Sequence, residues 1–260
     1  MTCRNRFLTC LSVCIALAAC NSGPPSSNAP SSGEAKAAAL ERKADHLSRL
    51  LGRRHEAAQA LDDLTSALPE SVRLTEVVYD ASGVQIKGGA PTNNLLADYL
   101  SRLGEGPSLE NVILRGSAMK TVRGRERVDF FLQAAVRDPG SAPSPPGDDP
   151  AVRLEALEKV LPPRQDTARM LRELQMLALE SGLQMTRFAP GVETAGEFTG
   201  ELPVSIEVSG DLAGLGRYLR GLAGLDSLWT VERFSFKAAL PDDPRSEIRA
   251  AVAARANFPR

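Results

Sequence analysis

The sequence predicts an α+β protein in which one element order, helix, hairpin, helix, hairpin, occurs twice behind a long amphipathic helix. Three observations carry this. Helical and strand periodicities follow one another in the same succession in residues 36–136 and 151–260. A Pro-rich stretch at 137–150 separates the two copies. Aromatic residues are only 5 % of the 260, so the cores must be mainly Leu, Val, Ile and Ala, and about 80–100 residues per copy suffice for a modest one.

The chain begins with Arg4 and Arg6 and then an apolar run over residues 7–19. As helix this run spans roughly 20 Å, short of a ~30 Å hydrocarbon core, so it reads as an export signal over residues 1–19. It ends Leu17-Ala18-Ala19-Cys20 and looks like a bacterial lipobox, which makes Cys20 the expected site of lipidation. An ordinary signal cut after Ala19, or an uncleaved anchor, is the alternative. All four cysteines, Cys3, Cys10, Cys14 and Cys20, lie in this segment, so they form no disulfide framework. Acylation at several positions would hold the chain stably on a membrane. Asn21, in place of Asp, favours the outer membrane. Residues 20–35 are rich in Ser, Pro, Asn and Gly and read as a tether.

From residue 36 the pattern is helical. Leu40, Ala44, Leu47, Leu51, Ala58, Leu61 and Leu68 recur at steps of four and three, with Arg54 and Thr65 interrupting the seam. Leu40, Ala44, Leu47 and Leu51 form a face for a partner helix or a second copy of this chain, while Leu61, Leu64 and Leu68 suit packing on the chain's own module. The two histidines, His46 and His55, fall on different faces and are expected to be solvated. Pro69 stops the helix. Val72, Leu74, Glu76 and Val78 then share one strand face, with Glu76 its polar exception. A turn at 81–83 returns the chain as a second strand through Ile86. A helix follows Thr92 with Leu95, Leu96, Tyr99, Leu100 and Leu103 on one side, and a second hairpin spans 109–136. Its turn, 120–127, is the chain's basic cluster. It has no interleaved aromatics of the kind that bind single-stranded nucleic acid, so it reads first as a solvated hairpin tip.

After the linker, residues 151–160 form a short helix and Asp166 can cap the next, whose stripe is Met170, Leu171, Leu174, Leu177 and Ala178. Strands lead into Phe188 and through Leu202, Val204, Ile206 and Val208. A helix over 215–222 and a strand from Leu228 come next. The Ala-rich end is ambiguous. Helix propensity competes with strict alternation of Ile248, Ala250, Val252, Ala254, Ala256 and Phe258, and strand is preferred because it completes the repeat. Two such modules give two four-stranded antiparallel sheets with helices on one face, a permuted ferredoxin-like (αββαββ) arrangement.

Formal net charge is −1, which gives no sign of nucleic acid as a partner. No inventory for catalysis, cofactor or metal emerges. There is no available cysteine, both histidines lie on one helix, and the stretch from Gly210 to Gly214 lacks the Lys-Ser/Thr of a phosphate loop. Asp242 and Asp243 read as turn residues.

Residues 161–222 carry Leu161-Pro162, Glu180-Ser181-Gly182-Leu183, Arg187-Phe188-Ala189-Pro190-Gly191, Leu202-Pro203-Val204, Gly210-Asp211-Leu212 and Tyr218-Leu219 in order. This succession resembles the periplasmic domain of PilO from type IV pilus assembly. Leu68-Pro69-Glu70, Leu74-Thr75 and Ile86-Lys87-Gly88-Gly89-Ala90 upstream resemble PilN. The resemblance implies a non-enzymatic, periplasm-facing scaffold of a pilus machine whose partners are a PilP-like lipoprotein, a secretin and other PilN/PilO-like subunits. A type II secretion-like scaffold or a ligand-binding envelope lipoprotein is the alternative. The usual cytoplasmic peptide and transmembrane helices of PilN and PilO are replaced by the lipobox, so the two modules pair either with each other or with separate partners.

Overall fold

The computed structural model describes residues 32–122, 124–137, 150–158, 166–225, 227–239 and 247–259. The lipobox, the tether up to residue 31, most of the linker, the stretch at 161–165 and the turn residues Asp242 and Asp243 lie outside these, whereas residues 32–35, expected as tether, open the first helix. The architecture is mixed, with helices on one antiparallel sheet. Helix α1 (Ser32–Arg53) comes first. Then follow α2 (Glu56–Ser66), β1 (Arg73–Asp80), β2 (Gly83–Ala90), α3 (Asn93–Glu105), β3 (Leu109–Val122) and β4 (Arg125–Val136). The second copy is α4 (Pro150–Glu158), α5 (Thr167–Glu180), β5 (Gln184–Pro190), the short β6 (Thr194–Ala195), β7 (Thr199–Gly210), α6 (Leu212–Gly224), β8 (Leu228–Ala238) and β9 (Ile248–Pro259).

The strands do not make two separate sheets. They run β3-β4-β2-β1-β8-β9-β7-β5 in one nine-stranded sheet, with β6 extending beside β7. Numbered within each copy with the two-residue β6 left out, both halves have the order 3-4-2-1. The join is the edge of the first copy, β1, on the edge of the second, β8, with Glu76 opposite Lys237, Val77 opposite Phe236, Val78 opposite Ser235 and Tyr79 opposite Phe234. The Tyr79 and Phe234 rings stack 5.0 Å apart on the core side of this seam. Edge pairing of this kind satisfies backbone groups that an isolated module would expose.

Two irregularities show that the copies share local geometry. Strand β1 pairs Leu74 with Gly88 and then Glu76 with Lys87, leaving Thr75 as an extra residue. Strand β5 pairs Met185 with Val208 and then Arg187 with Glu207, leaving Thr186 as the extra residue. A bulge shifts the alternation by one residue. This corrects the single strand face expected for Val72, Leu74, Glu76 and Val78. Beyond the bulge Val77 and Tyr79 are buried, and Glu76 and Val78 turn to the opposite side. Helices α3 and α6 are also matched, each 13 residues long, with Thr92 and Asp211 accepting from the amides of Leu95 and Gly214 at their N-termini. Asp166 precedes α5 without making such a bond.

The Ala-rich end is strand. β9 pairs along its length with both β7 and β8, so it is a central strand. Its small residues at 250, 254 and 256 are buried under the helix layer, and tertiary burial overrides helix propensity here. One continuous core includes Leu61 and Leu64 of α2, Tyr99 and Leu103 of α3, Leu174 of α5 and Leu215 and Tyr218 of α6. The other face is polar over much of β1 to β4, but at the end of β8 and β9 Leu228, Thr230 and Asn257 are buried on it as well.

The long helix expected to reach Leu68 is two. It breaks at Arg54-His55, the interrupted position of the seam. Arg54 sends its guanidinium to the backbone carbonyls of Leu225 and Ser227, which follow α6. That turns α1 away from α2 and toward the second half of the sheet.

Candidate interaction surfaces

Of the expected partner-helix face, Ala44 and Leu47 are each 1 % exposed. Leu40, Ala44, Leu47 and Leu50 pack with Leu154 and Leu157 of α4 in a small cluster apart from the main core, and Leu51 is half-buried. Lys43 pairs with Glu158 beside this cluster. Helix α1 also rests on the β6–β7 region. Arg42 lies 3.5 Å from Glu197, and the His46 ring is 5.7 Å from Phe198 and 3.5 Å from the Thr199 hydroxyl. His46 is therefore half-buried, not solvated as expected, whereas His55 is exposed. No group of three or more His, Cys, Asp or Glu among the described residues is placed to hold a metal ion. No described helix is long and apolar enough to cross a membrane.

The halves meet through more than the β1–β8 ladder. Asp62 of α2 pairs with Arg220 of α6, and α2 lies over β8 and α6. With β1 and β8 used against each other, the outermost strands are β3 at one end and β5 at the other. β3 exposes Ile113, Leu114 and Met119. It carries two register shifts on its single partner, β4, and irregular edges of this type resist indiscriminate strand addition.

On the open face, Lys87 and Lys237 both bond to Glu76, at 2.8 and 3.0 Å. Lys120 and Arg127 both bond to Asp129, at 2.7 and 2.8 Å. The hydrogen bond from Lys87, followed by that from Lys237, holds the Glu76 carboxyl below its ordinary value of 4.5. For Asp129, burial pushes upward, but the bonds from Lys120 and Arg127 outweigh it and the carboxyl also lies low. A carboxylate depressed in the folded state contributes stability that is present above its unfolded pKa and is lost as pH falls through the folded value. Glu76→Gln is therefore expected to shrink the drop in urea midpoint between pH 7 and pH 3, measured against the parent chain. An unchanged pH dependence would show that the Lys87–Glu76–Lys237 cluster contributes nothing to folding. The sequence marks Glu76 as a polar exception and 120–127 as a basic turn, but neither mark brings these clusters together.

Family comparison follows the two copies. A model of the fimbrial assembly protein PilN matches residues 59–136, and one of the type IVa pilus alignment subcomplex PilO C-terminal domain matches residues 166–256. The chain is related to both PilN and PilO. The PilN-like stretch takes in α2 to β4, and the PilO-like stretch takes in α5 to most of β9. Solved structures similar to this chain include two of PilO. The crystal structure of the type 4 fimbrial biogenesis protein PilO from Pseudomonas aeruginosa is 24 % identical, with 43 % of this chain and 87 % of that chain covered at a TM-score of 0.36. The core region of PilO from the type IV pilus system of the same organism is 26 % identical, with 35 % and 92 % covered at a TM-score of 0.32. A comparison with curated proteins returns no match.

Proposed function

We propose that this chain is a structural, non-enzymatic component of a type IV pilus alignment subcomplex, in which PilN-like and PilO-like modules act as one plate. The observation that carries this is the pair of family matches, in tandem, on the two halves of a single sheet. The repeated 3-4-2-1 strand order supports reading each half as a permuted ferredoxin-like module, with units at 36–136 and 151–260 joined by the linker at 137–150. A lipid on Cys20 attaches the plate to the envelope, facing the periplasm, with the outer membrane favoured by Asn21. Its partners are pilus machine proteins of the PilP-like and secretin classes. Because α4 covers Ala44 and Leu47, a partner helix reaches the face of Leu40, Ala44, Leu47 and Leu51 by taking the place of α4.

The test is purification of the tagged full-length chain from mildly crosslinked native envelopes, with bound proteins identified by mass spectrometry. Recovery of a secretin or a PilP-like lipoprotein is expected, and consistent absence of pilus proteins would overturn the assignment. Cys20→Ser is expected to move most of the chain from the membrane fraction to the soluble one. If the variant stays with the membranes, Cys20 is not the anchor.

A further inference from the structure

The seam between the halves shows what a strand edge of this fold accepts, and one end of the sheet offers the same kind of edge again. Thr75 and Thr186 fill matching bulges, so Glu76 to Tyr79 of β1 correspond to Arg187 to Pro190 of β5. Lys87 and Glu207, which face Glu76 and Arg187, lie opposite Phe131 and Ala251. Gly116, Ser117 and Ala118 of β3 therefore correspond to Ser235, Phe236 and Lys237 of β8. Within the chain an edge of the β1 type has joined an edge of the β8 type. The outermost strands, β5 and β3, are the remaining edge of each type.

The β5 edge is closed. Gly191 donates to the Pro203 carbonyl across the β5–β7 ladder, so the backbone groups of its neighbour Pro190 point outward, away from β7. Proline has no N–H to offer there. At the matching position of the seam stands Tyr79, opposite Phe234. A second copy of this chain therefore cannot extend the row through β5 in the way that β1 does.

The β3 edge is different. Both of its register shifts lie before Gly116, and from Gly116 to Val122 it pairs with β4 without interruption. Arg137 donates to the Ser108 carbonyl, and β4 pairs regularly with β2 from Val128 to Ala134. Alternate residues of β4, through Phe131 and Asp129, therefore bond toward β3. Opposite them Gly116, Ala118 and Lys120 spend their backbone groups on β4. Ser117, Met119 and Thr121 point theirs outward. Residues 115–121 are all exposed, Met119 to 64 %, and none of residues 116–122 is proline.

We infer that the β3 edge from Gly116 to Val122 receives, in antiparallel pairing, the first strand of a separate PilN-like or PilO-like module. The seam supplies the register, with the partner's counterpart of Val77 exchanging bonds with Ser117 as Val77 does with Phe236. Main-chain bonds give such strand addition its affinity, and side chains on alternate faces give it selection. The source of the strand rests on the scaffold reading, whereas the edge belongs to this chain and is tested without pilus proteins.

The probe is a synthetic peptide with capped ends and the chain's own β1 sequence, residues 72–80. It is titrated into the isotope-labelled full chain and followed by NMR. Amide shifts are expected to concentrate at 116–122. They are expected to be absent when the peptide carries Val77→Pro, and with a peptide of residues 184–190. In the chain, Ser117→Pro and Thr121→Pro each remove an N–H that the fold does not use, and the rest of each spectrum reports folding. Each removes an exchanged bond and is expected to raise the apparent Kd roughly tenfold. Equal binding of the proline peptide or an undiminished response in both variants would overturn the inference. So would shifts at 234–237, which would place the peptide on β8 at the seam. Concentration-dependent shifts at 116–122 in the chain without peptide would also overturn it, by assigning the edge to a second copy. Peptide binding at 116–122 without recovery of pilus proteins from envelopes would support the edge and count against the scaffold reading alone.

Discussion

Replacing Phe236 by alanine lowers the stability of the whole chain by about 3–5 kcal/mol, the range for truncating a buried aromatic. The Phe236 ring is 1 % exposed and stands opposite Val77 across the seam between the halves. Truncation leaves a void beside the stacked Tyr79 and Phe234 rings, where neither half can collapse without disturbing the other. Chemical denaturation is the measurement, with hydrogen exchange reporting each half separately. Amides of β1 and β2 are expected to lose protection together with those of β8 and β9. Loss confined to the PilO-like half would mean that the seam transmits nothing.

The second large effect is at Gly88. A Cβ there would sit 2.3 Å from the Arg73 carbonyl oxygen and 2.4 Å from Phe130 Cζ. One obstacle is backbone and the other is a ring only 4 % exposed, so neither yields easily. Gly88→Val is expected to force β1 and β2 apart at the bulge and to cost about 3 kcal/mol, the upper end for overpacking a tight site. Gly116 offers the control, because a Cβ at that position meets nothing within 4 Å. A urea titration in which Gly116→Ala and Gly88→Val shift the midpoint equally would refute the packing account of Gly88.

The element types were legible in the sequence because each has a local cause. Thr92 caps α3 and alternation marks β4, β7 and β9, whereas Asp166 makes no capping bond and Asp211, which does, opens α6 three residues before the expected start. Even the Ala-rich β9 could be identified, since the repeat demanded a partner strand where propensity suggested helix. Phase was less legible. Thr75 reads as one more residue of an alternating strand, and only the pairing with β2 reveals it as a bulge that sends Glu76 outward to Lys87 and Lys237. The break at Arg54 was visible as a flaw in the heptad seam, but its cause lies more than 170 residues away, at the Leu225 carbonyl. The seam itself left no sequence signal. Edge strands carry no mark of which neighbour they will meet, so two sheets were the natural expectation. The charged clusters around Glu76 and Asp129 were invisible for a related reason, since their residues come from five strands, and Lys237 reaches Glu76 only when β8 meets β1.

The central claim is that the PilN-like and PilO-like halves form one sheet through β1 and β8. A paired cysteine test addresses it directly. Val78 and Ser235 face each other across this seam, and directly opposed antiparallel positions lie within disulfide reach. In a background with the four native cysteines changed to serine, Val78→Cys with Ser235→Cys is expected to form an intrachain disulfide on mild oxidation. Mass spectrometry of the digested monomer would then show the linked peptides. Free thiols under the same conditions, or linkage only between separate chains, would contradict a seam within one molecule.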